Sequence, residues 1–165
     1  LIGIVYPQLC KIAHNRFRHE RFDHTLQTRD LVHEIYLQLI DEELPDLRTH
    51  GDFFRFMAFL MRRRLIDHAR GKKRIKNGGE YVKISLDDVV LPIDGQKFDY
   101  VELNYALDKL AELDERQASL IDVYYFGGFS VEETLEIFNI SKTTFYSEWR
   151  SAKAWLYRYL KGEDR

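Results

Sequence analysis

The residue types that could carry catalysis or hold a metal are present, but their spacing does not assemble them. His33 and Glu34 begin an H-E-x-x-H zinc pattern, yet position 37 is leucine, so the second ligand is absent. His14, His19 and His24 recur at five-residue intervals and do not share a helix face. A single cysteine, Cys10, excludes an internal disulfide and a Cys-rich zinc site. Asp87, Asp88 and Asp94 lack a second, well-spaced ligand set, and solvated acidity accounts for them. No P-loop, G-x-G-x-x-G or G-x-S-x-G is present. The chain is therefore expected to be no enzyme and to carry no cofactor or metal.

Phosphate recognition is the chemistry that remains. Arg62 to Lys76 holds eight basic residues and one acid, Asp67. Arg63, Arg70 and Arg74 fall at i, i+7 and i+11, on one helix face with Asp67, and such a face can track phosphates while Asp67 orients an arginine. Arg62, Lys72, Lys73 and Lys76 widen the patch, although a solvated helix end has the same composition. Phe54 and Phe59 fall off the main apolar stripe; they are expected in the core, with stacking on an unpaired base as the alternative. A second group lies near the C-terminus. Lys142, Thr143, Thr144, Tyr146, Ser147 and Arg150 put donors at the start of a helix where base edges and phosphates are reached, with Lys153, Arg158 and Lys161 as further phosphate candidates.

The elements that position these groups read as helices. The chain has 165 residues, 45% hydrophobic and 32% charged, enough for one domain or two small ones. Its net charge of −2 conceals a sorted distribution: 15 Lys+Arg against 10 Asp+Glu over 1–76, 4 against 11 over 77–129, and 6 against 6 over 130–165. Three prolines and a period near 3.6 predict an all-α fold. Leu31, Ile35 and Leu39, with Val32 and Tyr36 beside them, form one stripe in a helix opened by Asp30 and followed by Pro45. A second helix is expected from Asp52, stopped at Gly71 or at Gly78-Gly79. Residues 77–101 read as an acidic linker with one extended piece near Tyr81–Leu86, separating domains at 1–76 and 102–165. No apolar run is long enough to span a membrane, and the lone cysteine suits the reducing cytoplasm. The chain starts at Leu1, so residues before it are expected.

In the last third, Leu103, Leu107 and Leu110 mark one helix, and Asp114 with Gln117 suggests a capping box for the next, closed by Gly127-Gly128. Ser130 and Glu133 form another box ahead of Val131–Phe138. Asn139 suits a left-handed turn, and Ser141 starts a helix to about Leu160 with Phe145, Trp149, Ala152 and Leu156 on its core side. This is helix-turn-helix spacing, which a plain αα-hairpin would share.

The words Asp30-Leu31-Val32-His33-Glu34, Asp67-His68-Ala69-Arg70 and Phe126-Gly127-Gly128-Phe129-Ser130-Val131-Glu132-Glu133-Thr134 resemble bacterial extracytoplasmic-function (ECF) sigma factors, in order, from about Tyr6 to Leu160. The resemblance implies two small helical domains, a region 2 bundle and a region 4 helix-turn-helix, joined by the linker. It implies transcription initiation: the 30–40 helix, with Asp30, His33, Glu34, Leu37 and Gln38, would bind RNA polymerase core at the clamp helices of the largest subunit. Arg63, Asp67, Arg70, Lys73 and Arg74 would serve the promoter −10 element, the loop at about Asp46–Gly51 a flipped base, and Lys142–Arg150 the −35 element. An anti-sigma factor is a further possible partner. Leu135, Asn139 and Phe145 stand where smaller residues are usual in the family, and Tyr146 and Ser147 where basic ones are. A helix-turn-helix regulator on a palindromic site, or a sigma-like interaction protein that does not direct initiation, are the alternative functions.

Overall fold

The computed structural model describes residues 7, 9–11, 32–39, 46–75, 83–85 and 97–163, the side chains of 68–75, 83–85 and 97–100 excepted. Asp30, Pro45, the histidines at 14, 19 and 24 and the acidic run at 87–94 lie outside the described residues. The chain divides into two compact units: Leu1–Arg64 with Asp122–Ile140, and Leu65–Ile121 with Ser141–Arg165. The fold class is all-α, as the 3.6-residue period predicts.

In the first unit, α1 covers residues 32–39 and buries Val32 and Ile35 on the expected stripe. Helix α2, His50–Ile75, starts before Asp52 because Thr49 caps it. The Thr49 hydroxyl accepts the Asp52 N–H at 3.0 Å, and the Asp52 carboxylate accepts the Thr49 N–H at 2.9 Å, a reciprocal capping box with aspartate in the usual glutamate place. The helix runs through Gly71, the first of the two stops expected, and ends at Ile75, ahead of the second at Gly78-Gly79; one interior glycine costs only about 1 kcal/mol against alanine. Phe54, Met57, Ala58, Leu60 and Met61 of α2 are buried, as are Val123, Phe126, Phe129 and Phe138. Phe54 is thus a core residue, its ring edge-on to Phe129 at 5.3 Å between centroids.

Within the acidic segment, β1 (Lys83–Ser85) pairs antiparallel with β2 (Lys97–Asp99), in register Lys83↔Asp99, Ile84↔Phe98 and Ser85↔Lys97. The single extended piece expected there is one strand of this short ribbon.

The second unit is built from α3 (Tyr100–Leu113), α4 (Glu115–Ile121) and α6 (Lys142–Lys161), which pack on one another. Leu103, Leu107, Leu110, Leu120, Phe145, Ala152 and Leu156 form its centre. Asp114 caps α4 by accepting the Gln117 N–H at 3.0 Å, while its own N–H closes α3 on the Leu110 carbonyl at 2.7 Å. That N–H therefore already has a partner, and a reciprocal glutamine bond is not needed.

Helix α4 passes into a π-helical turn, Asp122–Phe126, whose widened ring ends with the Gly127 N–H on the Asp122 carbonyl at 2.8 Å. Helix α5, Val131–Phe138, carries both bonds of its capping box: the Ser130 side chain accepts the Glu133 N–H at 3.1 Å, and the Glu133 carboxylate accepts the Ser130 N–H at 2.9 Å. It ends at Asn139 in the left-handed region, φ 50° and ψ 54°. The Asn139 N–H reaches the Glu136 carbonyl at 3.2 Å and the Ile140 N–H that of Leu135 at 3.0 Å, so the last turn of α5 is satisfied as the sequence predicts.

Candidate nucleic-acid interface

Helix α6 begins at an N-cap, Ser141, with extended backbone (φ −75°, ψ 158°), whose hydroxyl oxygen accepts the Thr144 N–H at 3.1 Å. No acidic side chain occupies its first turn, so the helix dipole there favours an approaching phosphate. Phe145, Trp149, Ala152 and Leu156 are buried, and this period leaves Lys142, Thr143, Tyr146, Ser147 and Arg150 exposed on the other side. Thr144 is half-buried, its hydroxyl 2.9 Å from that of Ser141, which ties it to the cap. The Arg150 Nε donates to the Tyr146 carbonyl at 3.2 Å, which lays the guanidinium along the helix. Glu148 is half-buried and pairs with Arg116 at 3.1 Å, anchoring α6 to α4.

One expected phosphate contact on this helix is corrected. Lys153 is buried, 7% exposed, with its ammonium 5.6 Å from the Trp149 ring centroid, and burial pushes its pKa below the ordinary lysine value. Arg158 and Lys161 are exposed, and Lys161 lies 4.3 Å from the Tyr157 ring centroid.

On α2, three consecutive arginines diverge because successive helical residues point about 100° apart. Arg62 turns inward, 2% exposed, with Nε 2.8 Å from a carboxylate oxygen of Asp122, so it does not widen the basic patch. Arg64 turns to α1, donating to Gln38 Oε1 at 3.0 Å with a Glu34 oxygen 4.0 Å away. Arg63 is exposed, its guanidinium 5.7 Å from the Phe59 ring centroid, and Asp67, one turn on, is exposed as well. Arg70, Lys73 and Arg74 continue this helix, and their side chains lie outside the described residues.

Ahead of α2, residues 46–48 are irregular and Arg48 pairs with Asp46 at 2.7 Å. His50 and Gly51, expected in this loop, already belong to the helix. The Asp52 carboxyl is held below the usual carboxylate range, first by hydrogen bonding to Thr49 and then by Arg55. That cap fixes where the loop ends, and T-x-x-D was its signal in the sequence. On α1, His33, Glu34 and Leu37 are exposed, Leu37 at 46%, while Gln38 is half-buried against Arg64.

Among the described residues no group of His, Cys, Asp and Glu is arranged to hold a metal ion, and no helix is long and apolar enough to cross a membrane. An all-α chain with a doubly capped helix-turn-helix and a polar exposed second helix is of the class that binds DNA through that helix. A family model described as ECF sigma factor matches residues 1–162, and the chain belongs to that family. No curated protein and no solved structure matches it. The protein is an alternative sigma factor, without enzymatic activity, that binds RNA polymerase core and directs it to promoters.

Proposed function

We propose that the recognition work is divided among three surfaces. Lys142, Thr143, Thr144, Tyr146, Ser147 and Arg150 read the −35 element in the major groove. Arg63, Asp67, Arg70, Lys73 and Arg74 serve the −10 element, with the loop beginning at Asp46 receiving an extruded base, whose unstacking costs a few kcal/mol. Asp30, His33, Glu34, Leu37 and Gln38 dock on the clamp helices of the polymerase's largest subunit. Functionally the chain divides at 1–76, 77–101 and 102–165, works in the cytoplasm, and is open to control by an anti-sigma factor.

The observation that carries this reading is the division of α6: Phe145, Trp149, Ala152 and Leu156 are buried, while Lys142, Thr143, Tyr146, Ser147 and Arg150 are exposed. Reconstitution with core polymerase on genomic DNA, followed by sequencing of transcript 5′ ends, tests it. Two unlike elements at fixed spacing upstream of the starts are expected. A single palindromic footprint without core would instead assign the helix-turn-helix to an independent regulator.

A further inference from the structure

Tyr146 is 44% exposed, and among the described residues no other large apolar side chain of α6 is as open to solvent. It is nonetheless held in place. Its ring stands edge-on to that of Phe145, with 5.2 Å between centroids and 78° between planes. Phe145 is 1% exposed and stacks on Trp149 at 5.9 Å, so three rings run from the surface of α6 into its packed side. One turn further on, the Arg150 Nε donates to the Tyr146 carbonyl at 3.2 Å, which leaves the terminal nitrogens of that guanidinium for other partners.

Residues three and four apart are neighbours on a helix surface, so Tyr146 lies between Lys142 and Arg150, with Thr143 beside it. Bidentate recognition of guanine takes arginine or lysine, and that of adenine takes asparagine or glutamine. Thr143, Tyr146 and Ser147 are none of these, so the centre of the exposed face has no side chain that pairs with a purine in this way. What it presents instead is carbon, the ring of Tyr146 and the methyl group of Thr143. In the major groove the apolar feature of a base pair is the C5-methyl group of thymine.

We propose that Tyr146 is a specificity-determining residue, which packs its ring, with the Thr143 methyl beside it, on the C5-methyl group of one thymine in the −35 element. Lys142 and Arg150, one turn to either side, hold the helix on phosphates and supply position rather than sequence. A ring already fixed by Phe145 loses little freedom on binding, so more of the contact appears as affinity. The inference rests on the assignment of α6 to the −35 element and adds the base chemistry that this helix selects.

The test uses holoenzyme and a duplex promoter whose −35 element is known from its transcripts. Each thymine of that element, on either strand, is replaced singly by deoxyuridine, which removes the methyl group and keeps the base pairing and its hydrogen-bonding edge. At one position the wild-type holoenzyme should lose affinity by about four-fold, the worth of one buried carbon. Tyr146→Phe should lose the same factor there, because the ring rather than the hydroxyl makes the contact. Tyr146→Ala should bind the thymine duplex more weakly than wild type and should bind the thymine and deoxyuridine duplexes equally. Comparing variants on the same pair of duplexes cancels whatever the methyl group does to the DNA itself. At the same position, 5-methylcytosine should bind wild type about four-fold more tightly than cytosine, and Tyr146→Ala no more tightly.

A −35 element in which no thymine is sensitive to deoxyuridine overturns the proposal, as does Tyr146→Ala with wild-type discrimination. Discrimination lost in Tyr146→Phe overturns it too, and gives the base contact to the hydroxyl. Holoenzyme indifferent both to scrambling of the −35 element and to Arg150→Ala strikes the parent assignment and this inference with it. Holoenzyme that needs the element and is weakened by Arg150→Ala, yet is blind to the thymine methyl group, leaves the parent assignment standing and removes only the role given to Tyr146.

Discussion

The ammonium of Lys153 sits 5.6 Å from the centroid of the Trp149 indole, on the buried side of α6, opposite the exposed Lys142, Tyr146 and Arg150. Burial pushes its pKa below 10.5, so between the lowered folded value and 10.5 the unfolded chain binds more protons than the folded one. Stability from this group therefore rises as pH climbs through that window, and at neutral pH the buried charge is a cost that the indole partly offsets. Lys153→Met keeps the stem packing and removes the charge. It is expected to raise the thermal midpoint at pH 7 by about 2 °C and to flatten the alkaline rise, both read by calorimetry across pH.

The same variant separates phosphate contacts from structural cations. Lys142→Ala, Arg150→Ala and Arg63→Ala should each weaken promoter binding by the holoenzyme and lower the slope of log affinity against log salt by about one unit. Lys153→Met and Arg62→Met should leave that slope where it is. A slope that stays constant for Arg63→Ala would place its guanidinium on a solvated face.

This contrast marks the limit of what the sequence discloses. The capping box at Ser130 and Glu133, the left-handed Asn139 and the Ser141 cap are legible because each depends on residues within about five positions. So is the alternation of buried and exposed residues along α6. Arg62 reads as one more member of a basic run, because its fate is set by Asp122, which is distant in sequence. Lys153 is equally opaque: a lysine above an indole looks in sequence like any surface lysine. The π-helical turn at Asp122–Phe126 is likewise not announced by the helical period of the sequence. The start of α2 was readable in principle, since Thr49 stands three residues before Asp52, but aspartate in place of glutamate disguises the box.

Two carboxylates in the third position of a helix link folding to acid. Asp52 is held below the usual range by Thr49 and Arg55, and Glu133 by Lys11 first and then by the Ser130 backbone. A carboxyl with a depressed folded pKa stabilises fully above its unfolded pKa and loses that contribution as pH falls through the folded one. The midpoint of the protein should accordingly drop below about pH 4. Asp52→Asn and Glu133→Gln should each have a lower midpoint at pH 7 and a shallower acid decline than wild type. Ser130→Ala, which removes the other half of one box, should cost about 1 kcal/mol at pH 7 in urea denaturation.

Gly127 is the position where the π-helical turn is least tolerant. A Cβ there would lie 2.6 Å from the Val123 carbonyl oxygen and 2.8 Å from the Phe129 ring, one a backbone atom and the other a side chain packed against Phe54. Neither neighbour has room to yield: moving the carbonyl disturbs the turn itself, and moving the ring opens the core at Phe54. Overpacking of this kind costs about 2 kcal/mol, so Gly127→Ala should lower the denaturation free energy by that amount. Because the strain falls on Asp122–Phe129, amide exchange should quicken there first, while amides in the middle of α3 keep wild-type protection. An unchanged midpoint for Gly127→Ala would mean that the turn rewinds to ordinary α-helical spacing at no cost, and that the inward position of Asp122 does not depend on it.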